Sequence, residues 1–235
     1  MVAAQIPIRR DVENVAPPLS LLMREAGSFA YTRLRASFAP PVPMPAMGDG
    51  RDVIVFPGFM ASDTTTARLR RSLAVAGFRT HGWGLGRNRG VRVDTLDRVA
   101  HQLDSLELQG PATLIGWSLG GLVAREFAKA FPDRVARVIT LGSPFSGSPH
   151  ANNAWRAYEL IAGHKVDTPP IDTVLAEKPP VPTFAFWSAG DGVVSASSAR
   201  GGYGERDHHV ELDCTHMAFV ADPAAIRAIA AAIIS

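Results

Sequence analysis

Three residue types placed far apart in this chain could together make and break an acyl bond. The first is Ser118, in Gly116-Trp117-Ser118-Leu119-Gly120, with Gly121 immediately after. A serine hydroxyl is a weak nucleophile at neutral pH. It needs a base to take its proton and a carboxylate to orient that base. Of the histidines His81, His101, His150, His164, His208, His209 and His216, only the last follows the final expected strand, in Asp213-Cys214-Thr215-His216-Met217. His216 is therefore the candidate base. The candidate acid is Asp191, in a loop after an apolar strand and flanked by Gly190 and Gly192, which permit a tight turn. Asp213 is its rival, although a carboxylate three residues before the base would leave the loop pointing away. His208 and His209 lie in the charged stretch Glu205-Arg206-Asp207-His208-His209, read as a solvated turn, and no Cys/His spacing suits a metal.

The surrounding elements determine whether these residues can meet. Ala112-Thr113-Leu114-Ile115 is a short apolar run expected as a buried strand. Leu119 to Phe131 carries Leu122, Val123, Phe127 and Ala130 at helical spacing, with Arg125, Glu126 and Lys129 expected on the opposite face. Ser118 then occupies a strained strand-to-helix turn in which both flanks must be glycine. The helix that follows aims its free N–H groups at the reacting centre, and the N–H of Leu119 points where an oxyanion would form. A second donor belongs in the loop after the first core strand, where Pro57-Gly58-Phe59 offers the N–H of Phe59.

Read in order, residues 1–18 look irregular, and Leu19 to Phe38 predicts an amphipathic helix with Leu19, Leu22, Met23, Ala26, Phe29, Ala30 and Leu34 on one stripe. That helix packs on the main domain or serves as a dimer contact, a membrane-surface contact or a wall of the site mouth. Pro40 to Pro45 is a stiff connector. A strand at 52–56, a helix at 64–76 closed by Gly77, a short strand at 78–81 and a helix at 94–108 come next. Gly82 to Gly90 is glycine-rich, but no frame gives the dinucleotide pattern G-x-G-x-x-G, so it reads as a loop near the site. After the serine helix come a strand at 135–141, a strandless stretch at 145–180 with one helix at 151–162, strands at 183–187 and 209–212, and a closing helix at 223–234. Such alternation implies a mostly parallel sheet with helices on both faces. The stretch at 145–180 is expected as a small helical cap or lid. The expected division is therefore residues 1–50 as N-terminal helix and connector, and 51–235 as the catalytic domain.

Composition narrows the class. The 235 residues are 46% hydrophobic and 20% charged, ordinary for a globular protein. A formal net charge of +2 gives no reason to expect nucleic-acid binding. Arg68, Arg70, Arg71, Arg79, Arg87 and Arg89 cluster, which reads as a solvated helix face. A single cysteine, Cys214, excludes an internal disulfide. Residues 1–11 lack the apolar core of a secretory signal, so a cytoplasmic setting is the expectation.

The chain order Ser118, Asp191, His216 is the order of one fold. With Phe56-Pro57-Gly58-Phe59, the pentapeptide around Ser118, Thr140-Leu141-Gly142-Ser143-Pro144 and Asp191-Gly192-Val193-Val194, residues from about 52 to 234 resemble an α/β-hydrolase of the small bacterial esterase/lipase kind. The resemblance implies an oxyanion loop, a nucleophile elbow, an acid turn and a base at these positions. It also implies a carboxylic-ester hydrolase that works through an acyl-enzyme, without metal or cofactor, on a small ester or an acyl lipid. The same three residues would serve an acyltransferase or thioesterase, and the fold also hosts binding proteins. Many relatives have histidine where this chain has Pro57 and Trp117. Phe59, Trp83, Trp155, Phe145 and Met217 are candidate lining for an acyl chain.

Overall fold

The computed structural model describes residues 15–235. Six parallel strands form one sheet: β1 (Asp52–Phe56), β2 (Arg79–Gly82), β3 (Ala112–Trp117), β4 (Val135–Leu141), β5 (Thr183–Trp187) and β6 (His208–Glu211). Their spatial order is β2-β1-β3-β4-β5-β6. The chain runs outward from β1 to β2, then returns to place β3 on the other side of β1. Ligands in such sheets bind at the carboxyl ends near this reversal.

The inner strands β1, β3, β4 and β5 are largely apolar because both their faces are covered, whereas the edge strands β2 and β6 are polar and more exposed. Val53, Val55, Ile115, Trp117, Ile139, Leu141, Phe184 and Phe186 point into one apolar layer. Ile54, Phe56, Leu114 and Val138 point into the other. Helices α2 (Ala67–Val75) and α7 (Pro223–Ile234) fill the first layer through Leu69, Leu73, Ile226 and Ile229. Helices α3 (Thr95–Asp104) and α4 (Leu119–Ala130) fill the second through Val99, Leu103, Val123 and Phe127. Helix α7 starts as its sequence requires, with Pro223 in the first turn and Asp222 accepting from the N–H groups of Ala224 and Ala225. Short helices α5 (Trp155–Ala162) and α6 (Ala196–Arg200) complete the carboxyl-end face; the sequence pattern did not suggest α6.

Three expectations are corrected. Arg68 is not on a solvated face: it is buried and donates to the carbonyls of Ala221 and Pro40. Arg125 and Glu126 are buried as well, because residues 173–177 fold over the face of α4 that periodicity left outside. Arg125 donates to the Glu177 and Glu205 carbonyls at 2.9 and 3.1 Å and lies over the Phe145 ring. Burial lowers its pKa to about 10, against the opposing charges of Glu126 and Glu205.

The third correction concerns α1 (Leu19–Phe38), part of whose predicted stripe is exposed. Leu19 and Met23 are 70% and 78% exposed, and Ala26 is exposed too, whereas Glu25 is 4% exposed. The helix turns Glu25 and Ser28 toward the loops of Gly192 and Thr215–Met217, with Leu21 and Leu22 half-buried beside them. The side chains of Phe29, Ala30 and Leu34, and the expected irregular residues 1–14, lie outside the described residues. The proline-rich segment after α1 rests on the domain, with Val42 buried and its N–H donating to Ser72. No helix among the described residues is long and apolar enough to cross a membrane.

Candidate active site

All the sequence-predicted site residues emerge from carboxyl ends of strands. Ser118 follows β3 directly, at φ 54° and ψ −122°, a conformation that side chains other than glycine rarely adopt. Its N–H donates to the Leu141 carbonyl at 2.8 Å, which ties the turn to the end of β4. The flanking glycines are required by close approach. A Cβ on Gly116 would overlap the backbone of Gly121, and one on Gly120 would overlap the Phe56 and Pro57 carbonyls. The start of α4 is thereby wedged between β1 and β4.

The Pro57–Phe59 loop lies against this turn: a Cβ on Gly58 would sit 3.2 Å from the Ser118 Cβ. Asn88, buried in the glycine-rich loop after β2, braces it. Its Nδ2 donates to the Pro57 carbonyl at 2.8 Å, and its own carbonyl accepts from Met60 N–H at 2.7 Å. Met60 adopts φ 59°, a second strained position in the same turn. Leu119 opens α4, so its N–H has no carbonyl one turn back. Sequence reading placed the loop that holds Asn88 near the site but did not find Asn88, which stands between Arg87 and Arg89 with no spacing signal to single it out.

Asp191 and His216 are brought together. Asp191 Oδ2 and His216 Nδ1 are 2.7 Å apart, and the two residues are 3% and 2% exposed. Asp191 Oδ1 accepts from the N–H groups of Val193 and Val194, both at 2.8 Å. The acid turn is held to the base loop by Ser188, which donates to the Cys214 carbonyl at 2.6 Å and accepts from Gly190 N–H. Gly190 lies in the expected turn, closed by Asp191 N–H on the Ser188 carbonyl at 3.4 Å, although neither Gly190 nor Gly192 has a positive φ. Gly192 is needed because α1 lies on it: a Cβ there would overlap the Leu21 carbonyl. The rival acid, Asp213, makes no bond to the imidazole among the described residues, for which Asp191 supplies the carboxylate.

Burial disfavours the His216 imidazolium. The Asp191 charge and hydrogen bond, and then the Glu25 charge, outweigh it and raise the pKa above its ordinary value. Burial also raises the Cys214 thiol, helped by Asp191, Asp222, Glu25 and Asp213, which keeps it protonated and unreactive. His208 and His209 belong to β6 rather than a free turn. His208 stacks on Phe184 and His209 accepts from the Trp187 indole.

Ser118 opens onto an apolar cleft of about 900 Å³, counted to its open mouth. Phe59, Leu119 and Leu122 line its body side, and Trp155, Tyr158 and Ile171, from the stretch between β4 and β5, form the opposite wall. Tyr158 seats that wall by meeting Phe59 at 5.4 Å between ring centroids and accepting from Val91 N–H. Of the five lining candidates, Phe59 and Trp155 reach the cleft. Trp83, Phe145 and Met217 pack elsewhere, Trp83 in the layer of α3 and α4, Phe145 under Arg125 and Met217 against the opposite layer. One carboxylate interrupts the apolar wall. Glu126 pairs with Lys129 at 2.8 Å through Oε2, while its buried Oε1 has no hydrogen-bond partner among the described residues.

A family model described as the alpha/beta hydrolase fold matches residues 44–160, about half of the chain. The chain belongs to the α/β-hydrolase fold family. Among curated relatives, the biotin biosynthesis bifunctional protein BioHC of Teredinibacter turnerae is 30% identical over 57% of this chain and 19% of its own length. The pimeloyl-[acyl-carrier protein] methyl ester esterase of Photobacterium profundum is 32% identical over 48% of this chain and 44% of its own. The aligned stretch spans less than half the length of these relatives. Among solved structures, naproxen esterase (carboxylesterase NP) from Bacillus subtilis superposes with a TM-score of 0.56 at 13% identity, over 91% of this chain and 98% of its own. At that identity the likeness shows the α/β-hydrolase fold alone.

Proposed function

We propose that the protein is a serine hydrolase of carboxylic esters whose acyl part is apolar. The carrying observation is the buried 2.7 Å pairing of Asp191 with His216, whose carbonyl accepts from the indole of Trp117, the residue before the strained Ser118. Ser118 Oγ attacks the acyl carbon as His216 Nε2 takes its proton. The bond to the alcohol oxygen then breaks, and His216 returns the proton to the leaving alcohol. Water enters next; His216 takes one of its protons, the hydroxyl adds to the acyl carbon, and the acid leaves as Ser118 regains its hydrogen. Asp191 holds the imidazole in the tautomer with hydrogen on Nδ1. The N–H groups of Leu119 and Phe59 receive the oxyanion.

The apolar cleft supports an acyl chain as the recognised part of the substrate. The Photobacterium profundum relative, named for an esterase of an acyl-carrier-protein methyl ester, favours the same class of bond. The test is turnover of p-nitrophenyl esters in a chain-length series, beside labelling by a fluorophosphonate. Folded protein that neither turns over any ester nor takes the label at Ser118 would overturn the reading, and labelling with acyl transfer to an added thiol or alcohol would redirect it.

A further inference from the structure

We propose that Glu25, on the N-terminal helix, is a positioning residue of the candidate site, and that α1 is thereby part of the catalytic apparatus. The proposal rests on reading Ser118, His216 and Asp191 as the reacting set. The family match begins at residue 44, so α1 lies outside it.

Glu25 Oε1 accepts from Gly192 N–H at 3.0 Å and from His216 N–H at 2.7 Å. Its Oε2 accepts from Met217 N–H at 3.2 Å. One carboxylate therefore joins the residue after the acid to the base itself and to the residue after the base. No lysine or arginine forms an ion pair with it among the described residues. Such a buried charge is costly unless its hydrogen bonds are well placed. An apolar side chain would dock a helix here at lower cost, and it would leave three N–H groups of two loops without an acceptor.

The rest of α1 and the segment just before it enforce the same contact. Ser28 Oγ lies 2.5 Å from Thr215 Oγ1, next to the base. Asn153 Nδ2 bridges the Pro17 and Gly192 carbonyls at 3.0 and 2.8 Å. Loops that carry catalytic groups are the mobile parts of this architecture, and a reacting geometry must be held to about 0.5 Å. The His216 peptide is clamped at its N–H by Glu25 and at its carbonyl by the Trp117 indole. The charged and titratable groups facing the imidazole region are Asp191 from the loop after β5 and Glu25 from α1, with the protonated Cys214 thiol nearby on the same loop.

The experiment compares the full chain with Glu25→Gln, Glu25→Asp and Ser28→Ala. It reads kcat and KM for one p-nitrophenyl ester across pH, the His216 titration by NMR, and thermal unfolding. Glu25→Gln is expected to lower kcat on the order of ten- to a hundredfold with KM little changed. Because the negative charge favours the imidazolium, its loss should move the acidic limb and the His216 titration to lower pH. Glu25→Asp keeps the charge but reaches less far, so kcat falls while the limb stays. Ser28→Ala removes a contact of α1 without a charge and leaves the limb in place.

Folded Glu25→Gln with parental kcat and limb would overturn the proposal. So would a kcat loss that only tracks lost folded protein with an unmoved His216 titration. Should Glu25→Gln not fold, undiminished kcat in Glu25→Asp would do the same. An inactive parent would instead overturn the hydrolase reading, and the NMR titration would still test whether Glu25 is coupled to the imidazole.

Discussion

The indole Nε1 of Trp117 donates to the carbonyl of His216 at 3.1 Å, and the two rings lie 5.6 Å apart. Trp117 precedes the candidate nucleophile, so one residue of the elbow holds the backbone of the candidate base. Trp117→Phe removes that hydrogen bond from the carbonyl that opens the 3-10 turn His216–Val220, and part of the indole's packing. We expect a stability loss of about 1–3 kcal/mol, read by denaturant unfolding, and a lower kcat at unchanged ester preference.

Ser118→Ala should abolish labelling and reduce kcat on the order of 10⁶-fold with the fold intact. Circular dichroism and the unfolding midpoint check the fold, and p-nitrophenyl ester turnover checks the rate. A rate within a few-fold of the parent would remove Ser118 from the mechanism.

The imidazole must be neutral to accept the serine proton. His216 is raised above its ordinary value, so kcat/KM should fall as pH drops through that raised pKa, earlier than for an unperturbed histidine. Asp191→Asn removes the nearest charge. It should move the limb to lower pH and cost on the order of 10⁴ in kcat, the loss expected when the imidazole takes the wrong tautomer.

Gly142, just after β4, adopts φ 55°, and a Cβ there would sit 2.9 Å from Asp191 Oδ2 and 3.0 Å from His216 Nδ1. Gly142→Ala combines strain with a clash on the acid–base pair. It should lower kcat more than Gly27→Ala, a helix position with open space around it, lowers it. Steady-state rates of both variants, normalised to folded protein, make the comparison.

Glu126 lies eight residues along α4 from Ser118, about 12 Å of helix. Its unpartnered Oε1 favours a hydrogen-bond donor at the far end of an acyl chain. Esters with a terminal hydroxyl on a medium acyl chain should show higher kcat/KM than plain chains of equal length. Glu126→Leu should cancel or reverse that ratio, and an unaltered ratio would remove Glu126 from substrate selection.

Much of this was legible because short-range physics dictates it. Apolar runs of strand length alternating with helical periodicity give a parallel sheet covered on both faces, and a serine pinched between glycines between two such elements has one place to go. The pairing of His216 with Asp191 rather than Asp213 followed from the need for a second loop to reach the imidazole. Periodicity failed where another segment lies over a polar surface. Arg125 and Glu126 sit on a face of α4 that looked solvated, until residues 173–177 covered it.

Helix α1 shows the division most clearly. The sequence alone determined that Leu19–Phe38 is a helix, because that is a matter of local propensity and spacing. Which side it buries depends on its neighbours, and where it meets the loops of Gly192 and His216 their N–H groups took Glu25 in, while Leu19 and Met23 stayed out. Only tertiary structure could decide that, because the three N–H groups that draw Glu25 inward lie 167 to 192 residues away in the chain.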